Sequence, residues 1–410
     1  PWINSNWLVS TLLLERDAAR RAATVHKIVR SVDRFLAFYD DDGGCDEGPS
    51  YWFRAGGSLF DTLETLRSAT GGAVDFFGLP LVKEIGKYIY RAHLGGDWFV
   101  NFADASAKLH VAGDLVYRYG QRIGDVKMQS FGAWAAARSE APAVSDSLGR
   151  QLPALFGLAE IRRAEKAPPL ERDVWLPGIQ VMVARPQAGS ARGLTLAAQG
   201  GHNAESHNHN DVGNFIVYAG GEPALIDVGV ETYSAKTFSA RRYEIWTMQS
   251  GYHNLPTIGG VMQAPGREYA ARDVRWTADA RAAELSMDLA AAYPAAAGLK
   301  SWRRTLRLDR AAGSGVVEVR DQFALAKAVP EITLTLMTPG AVTVERPGLL
   351  RLGSLVRVRF DAAVLTPATE EIRIQDKRLA GSWGERLWRV LLRAASPPKD
   401  GDWSVRVEAV

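Results

Sequence analysis

The feature that most constrains this chain is a change of hydrophobic period at Lys166, Ala167, Pro168 and Pro169. Before it, apolar residues recur at spacings of three and four, the mark of helices with one buried face. Leu8, Leu12, Val25, Ile28, Val32 and Phe35 place one or two helices over 6–38. After it come short runs rich in Val, Leu and Thr, separated by turn residues: 179–184, 194–198, 214–219, 224–228, 305–308, 316–320, 332–337, 355–360 and 403–410. Such runs predict an antiparallel sandwich and not βαβ units. Two consecutive prolines cannot continue a helix. The junction therefore reads as a linker between a helical domain, 1–167, and a β-rich domain, 168–410.

Within the helical part, the polar, glycine-rich stretch 40–49 is a break, and Pro49 is suited to open a helix over 50–68. Further helices are predicted over 79–94, 107–119, 129–138 and 147–165, with Gly, Pro or Asp/Ser between them. Repeated helix–loop–helix segments of this length suit a bundle, a solenoid or an α/α toroid.

Composition excludes several classes. The formal net charge is +3, so nucleic-acid binding through a general basic face has no support, although a pI near 8.9 permits a locally basic groove. Cys45 is the only cysteine, which rules out an intrachain disulfide and any cysteine-based zinc module. No apolar run approaches the roughly 20 residues that cross a bilayer, so no membrane partner is expected. The chain opens on Pro1-Trp2 inside a helical pattern and carries no signal-peptide signature, which points to sequence upstream. Compartment stays open, with a periplasmic or secreted one slightly favoured over the cytoplasm. Oligomeric state is likewise open.

Of seven histidines, His202, His207, His209 and His253 fall within 202–253. If 207–211 is extended, His207, His209 and Asp211 share one face. Adjacent imidazoles on a surface strand add little packing and suit metal ligation or proton transfer near neutrality. Asp227 interrupts an apolar strand, and a buried carboxylate without a cation is expensive. His209, Asp227 and His253 on different strands of one sheet would make a three-ligand site of the kind that holds zinc or manganese. Hydrogen-bonded core polar groups are the competing interpretation.

The stretch His207-Asn208-His209-Asn210-Asp211-Val212-Gly213-Asn214-Phe215, then Asp227-Val228-Gly229, then Tyr252-His253-Asn254, resembles the core of the heparinase II/III-like polysaccharide lyases. Arg241-Arg242-Tyr243 is similar to the family's segment before the final His-Asn pair. Asp42-Gly43-Gly44, followed by Glu47-Gly48-Pro49-Ser50-Tyr51, looks like an element of the helical half, and Ser5-Asn6-Trp7 like its helix start. The pieces occur in order across both halves. The resemblance implies an α/α toroid, incomplete in this chain, followed by an antiparallel β-sandwich.

It also implies a reaction: β-elimination at the 4-O-glycosidic bond of a uronic acid in an acidic polysaccharide or oligosaccharide. By resemblance, Asn6 neutralises the uronate carboxylate; on residue type alone the helix N-cap is the stronger reading. Tyr51 is the acid or base at the leaving oxygen, with Arg54 one turn away as a cation that could lower its phenol from a pKa of about 10; otherwise it packs beside Trp52 and Phe53. His207 is the second acid/base, and Tyr243 takes over for the opposite C5 epimer. Arg242 and His202 are candidates for substrate contact. His209, Asp227 and His253 hold one divalent transition metal, zinc or manganese, in a structural role. A carbohydrate-binding protein without turnover and a metal-dependent hydrolase are the alternatives.

Overall fold

In a computed structural model the described residues are 1–139 and 148–410. Among the described residues eight helices come first: α1 (Trp2–Leu14), α2 (Ala18–Leu36), α3 (Pro49–Trp52), α4 (Gly56–Ala69), α5 (Pro80–Arg91), α6 (Gly113–Ile123), α7 (Val126–Arg138) and α8 (Leu148–Arg163). Their ends follow local chemistry. The side chains of Asp17 and Asp125 cap α2 and α7 by accepting from Arg20 N and Met128 N at 2.8 and 2.7 Å. Pro80 opens α5, and Gly124 in the left-handed region ends α6.

The helix expected over 50–68 is two helices. Trp52 is fully buried and its indole Nε1 donates to Ile85 O at 2.6 Å, and a Cβ on Gly56 would lie 2.4 Å from that nitrogen. The chain turns at 53–55 to seat the indole, and glycine restarts the helix against it. The helix expected over 107–119 begins only at Gly113, because Lys108 is bridged to Trp98. Residue 147, the first of the helix expected over 147–165, lies outside the described residues.

The chain divides into two compact units. The helical unit is Pro1–Cys45, Pro49–Ala92 and Leu109–Pro169. Its helices pack through residues such as Leu8, Ile28 and Leu66, which share one cluster. The β unit is Leu170–Val410 together with Asp46–Gly48 and His93–Lys108. The unit boundary thus falls beside Pro168-Pro169, but two short segments from within 1–167 belong with the sheets.

All strand pairs of the β unit are antiparallel. A five-stranded sheet runs in order Asp173–Leu176, Val181–Ala184, Leu194–Gln199, Phe215–Ala219 and Glu222–Leu225. An eight-stranded sheet has Leu299–Asp309, Val316–Leu325 and Asp400–Ala409 at its middle, and a four-stranded sheet centres on Arg386–Ala395 and Glu331–Thr338. Leu196 and Val217 of the first, Leu306 and Val319 of the second, and Leu334 and Val390 of the third belong to one buried cluster. Strict alternation along Leu299–Asp309 aims one face into that cluster. Each aliphatic side chain so buried contributes about 1.5–3 kcal/mol.

Candidate active site and metal centre

Two corrections concern where the site residues sit. Residues 207–211 form no strand; His207 adopts φ +57°, in the left-handed region, inside a turn. The three proposed metal ligands are also not on strands. His209 lies in the loop after His202–Asn203, Asp227 follows the strand Glu222–Leu225, and His253 follows the 3-10 turn Ser250–Tyr252. The expected strand over 224–228 ends at Leu225 because Ile226–Gly229 leaves the sheet. That departure is what releases Asp227 from the ladder.

His209, Asp227 and His253 nonetheless converge. One ligand atom from each lies within 4.8 Å of the others, and all three residues are buried. Their support explains the neighbouring motif residues. Asn214 Nδ2 donates to Asp227 Oδ2 at 2.7 Å, and Gly229 N donates to Asp227 Oδ1 at 2.7 Å. Gly229 holds φ +79°, a conformation that favours glycine. Asn254 is a clamp: its Nδ2 donates to Phe215 O and Ile226 O, its Oδ1 accepts from Met337 N, and its own N–H donates to Asn214 Oδ1. Gly213 approaches so closely that a Cβ there would meet Leu289 Cδ2 at 2.6 Å.

The donor set fits a cation. His209 Nδ1, His253 Nε2 and Asp211 Oδ2 are buried polar atoms without a hydrogen-bond partner among the described residues, an arrangement that is costly unless something satisfies them. Burial alone would lower the His253 imidazole, but the Asp227 charge and hydrogen bond outweigh it and hold its pKa above the ordinary value. Burial opposes the Asp227 charge, yet His253 keeps that carboxyl below its usual range. Asp211 is pushed up to about 6 by burial. Two imidazoles and a carboxylate are ligands for a borderline transition ion, whereas calcium and magnesium prefer all-oxygen shells.

Beside this group stands Asp104, which sequence reasoning missed. It is fully buried and accepts from His207 Nδ1 at 2.8 Å, His209 Nε2 at 3.1 Å, Arg242 Nη2 at 2.7 Å and Tyr233 Oη at 2.9 Å. Burial opposes its charge, but the hydrogen bonds from His207 and His209 hold it far below the ordinary carboxylate range. Nothing in the local sequence Ala103-Asp104-Ala105 signals a site. His207 is partly exposed, and the Asp104 hydrogen bond raises its pKa against the effect of burial. On its other side, Nε2 stands 3.9 Å from Glu47 Oε2, and burial raises the Glu47 carboxyl.

The remaining expectations separate. Arg242 is buried and its guanidinium donates to Asn208 O, Thr237 O and Asp104. Held this way, it braces the site from inside. Tyr243 is half-buried and its hydroxyl accepts from Asn208 Nδ2 at 3.1 Å, one residue from His207. His202 is half-buried; burial, then Arg267, lowers its pKa, which favours the neutral imidazole.

In the helical unit Asn6 lies inside α1, exposed, and not at the cap, which is Pro1 without a side-chain hydrogen bond. With Val9, Asp61, Glu64 and Arg118 it lines a cavity of about 420 Å³. Tyr51 is half-buried in α3, whereas its neighbour Trp52 is the core aromatic. Arg54 is exposed with its guanidinium 3.9 Å over the Trp2 ring, a cation–π contact.

Residues 178–389 match the family described as heparinase II/III-like, C-terminal. The chain belongs to the heparinase II/III-like family of polysaccharide lyases. No curated protein matches it in sequence. Among solved structures, a heparinase III is 12% identical with a TM-score of 0.72, covering 99% of this chain and 59% of that one. The heparan sulfate lyase HepC of Pedobacter heparinus is 14% identical with a TM-score of 0.67, covering 99% and 59%. The chondroitin AC lyase of Streptomyces coelicolor A3, solved with chondroitin sulphate, is 12% identical with a TM-score of 0.53, covering 95% and 58%. At these identities the likeness is one of fold, helices followed by antiparallel sheets, and this heparinase II/III-like chain spans less than two thirds of each relative.

One titration is readable at the rim. Glu205 is pushed up to about 7 by burial and by the nearby Asp46. A carboxyl raised in the folded state contributes stability below its unfolded value and loses it as pH rises through the folded one. Glu205→Gln is therefore expected to melt no lower than wild type at pH 8, with its advantage shrinking toward pH 5. Thermal scans at the two pH values check this; a difference independent of pH would contradict it.

Proposed function

We propose that this chain cleaves uronic-acid-containing polysaccharides, glycosaminoglycans such as heparan sulfate, hyaluronan or chondroitin, or alginate, by β-elimination. The observation that carries the reading is His207: partly exposed, hydrogen-bonded to a buried carboxylate, and set in a turn two residues from a buried ligand cluster. An imidazole so held can accept a proton near neutrality. In the reaction it removes the C5 proton, the electron pair forms the C4–C5 double bond, and the C4–O4 bond breaks as Tyr51 protonates the leaving oxygen. Asn6 donates to the uronate carboxylate, where charge develops. Tyr243 serves as base for the opposite epimer, and Arg54 and His202 contact the chain of sugars.

His209, Asp227 and His253 would hold zinc or manganese, which supplies structural cross-linking when bound. Their burial speaks against the hydrolase alternative, since a hydrolytic metal must present a water to substrate. Exhaustive chelation is expected to lower the melting temperature by roughly 5–10 °C, restored by zinc or manganese. Elemental analysis showing no transition metal in an unchelated preparation, with no effect of chelator, would sink the ligand assignment. The functional test is a panel of these polymers read for unsaturated uronate ends by ultraviolet absorbance.

A further inference from the structure

The carboxylate of Asp104 has each oxygen on a different imidazole. Oδ2 accepts from His207 Nδ1 and Tyr233 Oη, and Oδ1 accepts from His209 Nε2 and Arg242 Nη2. A carboxylate can only accept, so the ring nitrogens facing it carry the protons. That leaves the lone pair of His207 on Nε2 and the lone pair of His209 on Nδ1, the atom that is otherwise without a partner. Asp104 is itself fixed: it is fully buried, and Arg378 Nη2 donates to its backbone carbonyl at 2.8 Å. Tyr233 stacks along the His207 ring at 6.1 Å between centroids, and Phe238 meets both edge-on.

We propose that Asp104 is the positioning residue of this site, one carboxylate that sets the tautomer and orientation of both His207, the proton-transfer group, and His209, the metal ligand. The inference rests on the lyase reading for the role of His207, but the tautomers follow from the geometry alone. Arg242 has a reason for its burial in this scheme: its charge keeps a carboxylate that serves two imidazoles ionised. A carboxylate behind a ligating histidine also fixes the ring toward its cation.

Two measurements test it. In wild-type protein labelled with ¹⁵N-histidine, at alkaline pH where imidazoles are neutral, His207 is expected as the Nδ1-protonated tautomer. Finding His207 protonated on Nε2 would overturn the proposal, whether or not any polymer is cleaved. In the polymer assay, Asp104→Asn is expected to lower kcat by about 10²–10⁴-fold with KM within about threefold, and to shift the His207 tautomer. A folded Asp104→Asn protein with wild-type kcat and unchanged His207 shifts would also overturn it. If that variant does not fold, the wild-type spectrum alone decides. If wild type shows the Nδ1-protonated form but cleaves no uronate polymer, the lyase reading fails and the positioning role stands.

Discussion

His207→Ala is expected to lower kcat on a cleavable uronate polymer by about 10²–10⁴-fold, the usual contribution of a positioned acid or base. KM should change little, because the imidazole is needed at the transition state and not for general binding. The fold should survive. His207 is partly exposed, and the group it leaves behind, Asp104, keeps His209, Arg242 and Tyr233 as donors. Metal content should also hold, since none of His209, Asp227 and His253 is altered. A loss of kcat accompanied by loss of metal would reassign His207 from proton transfer to support. Retention of wild-type kcat would remove it from the chemistry.

The largest effect on stability is expected from Arg304→Met. Arg304 and Asp321 are each about 2% exposed and are joined by two hydrogen bonds, at 2.9 and 2.8 Å. The Asp321 charge and hydrogen bonds hold the Arg304 pKa above its ordinary value against burial. Arg304 Nη1 also donates to Gly213 O and Asn254 O, tying together the segments that follow His209 and His253. Removing one partner of a buried pair leaves an uncompensated charge and costs about 3–5 kcal/mol. That corresponds to a fall in melting temperature of roughly 6–20 °C, and calorimetry would show it. Replacing both partners, Arg304→Met with Asp321→Leu, should recover much of the loss, because an apolar pair of similar volume is often neutral. A single variant melting with wild type would contradict this account of the core.

How much of this was legible in the sequence varies with the range of the interactions. Helices α1 and α2 were visible because their buried positions repeat locally. Long strands such as Leu299–Asp309 are only partly visible, since the half before Thr305 turns Trp302 and the buried Arg304 inward, and a charged residue at an inward position hides the alternation. The Glu331–Thr338 strand is readable because Ile332, Leu334 and Leu336 alternate with Thr333 and Thr335. Ala282–Asp288 and Arg386–Ala395 were missed: one is short of β-branched residues and the other is broken by arginines, and both are held by pairing with distant partners.

At the site, His209, Asp227 and His253 could be grouped from the sequence although they come from three separate loops. The supposed strand geometry of 207–211 was wrong because His207 takes a left-handed conformation, which residue type does not announce. Asp104 was invisible for a different reason. It carries no motif, and it belongs to the β unit although the segments on either side of it in sequence, Pro49–Ala92 and Leu109–Pro169, belong to the helical one. Arg242 looked like a surface cation until Asp104 gave it a buried partner.

The central claim, elimination at a uronate, is tested most directly by following ultraviolet absorbance while the purified protein acts on heparan sulfate, hyaluronan, chondroitin and alginate, with product sizing on the same samples. The account predicts that at least one polymer is shortened with matching growth of the unsaturated uronate chromophore, and that His207→Ala abolishes both. Shortened polymer with saturated ends, or binding of every polymer with no shortening at all, would contradict it.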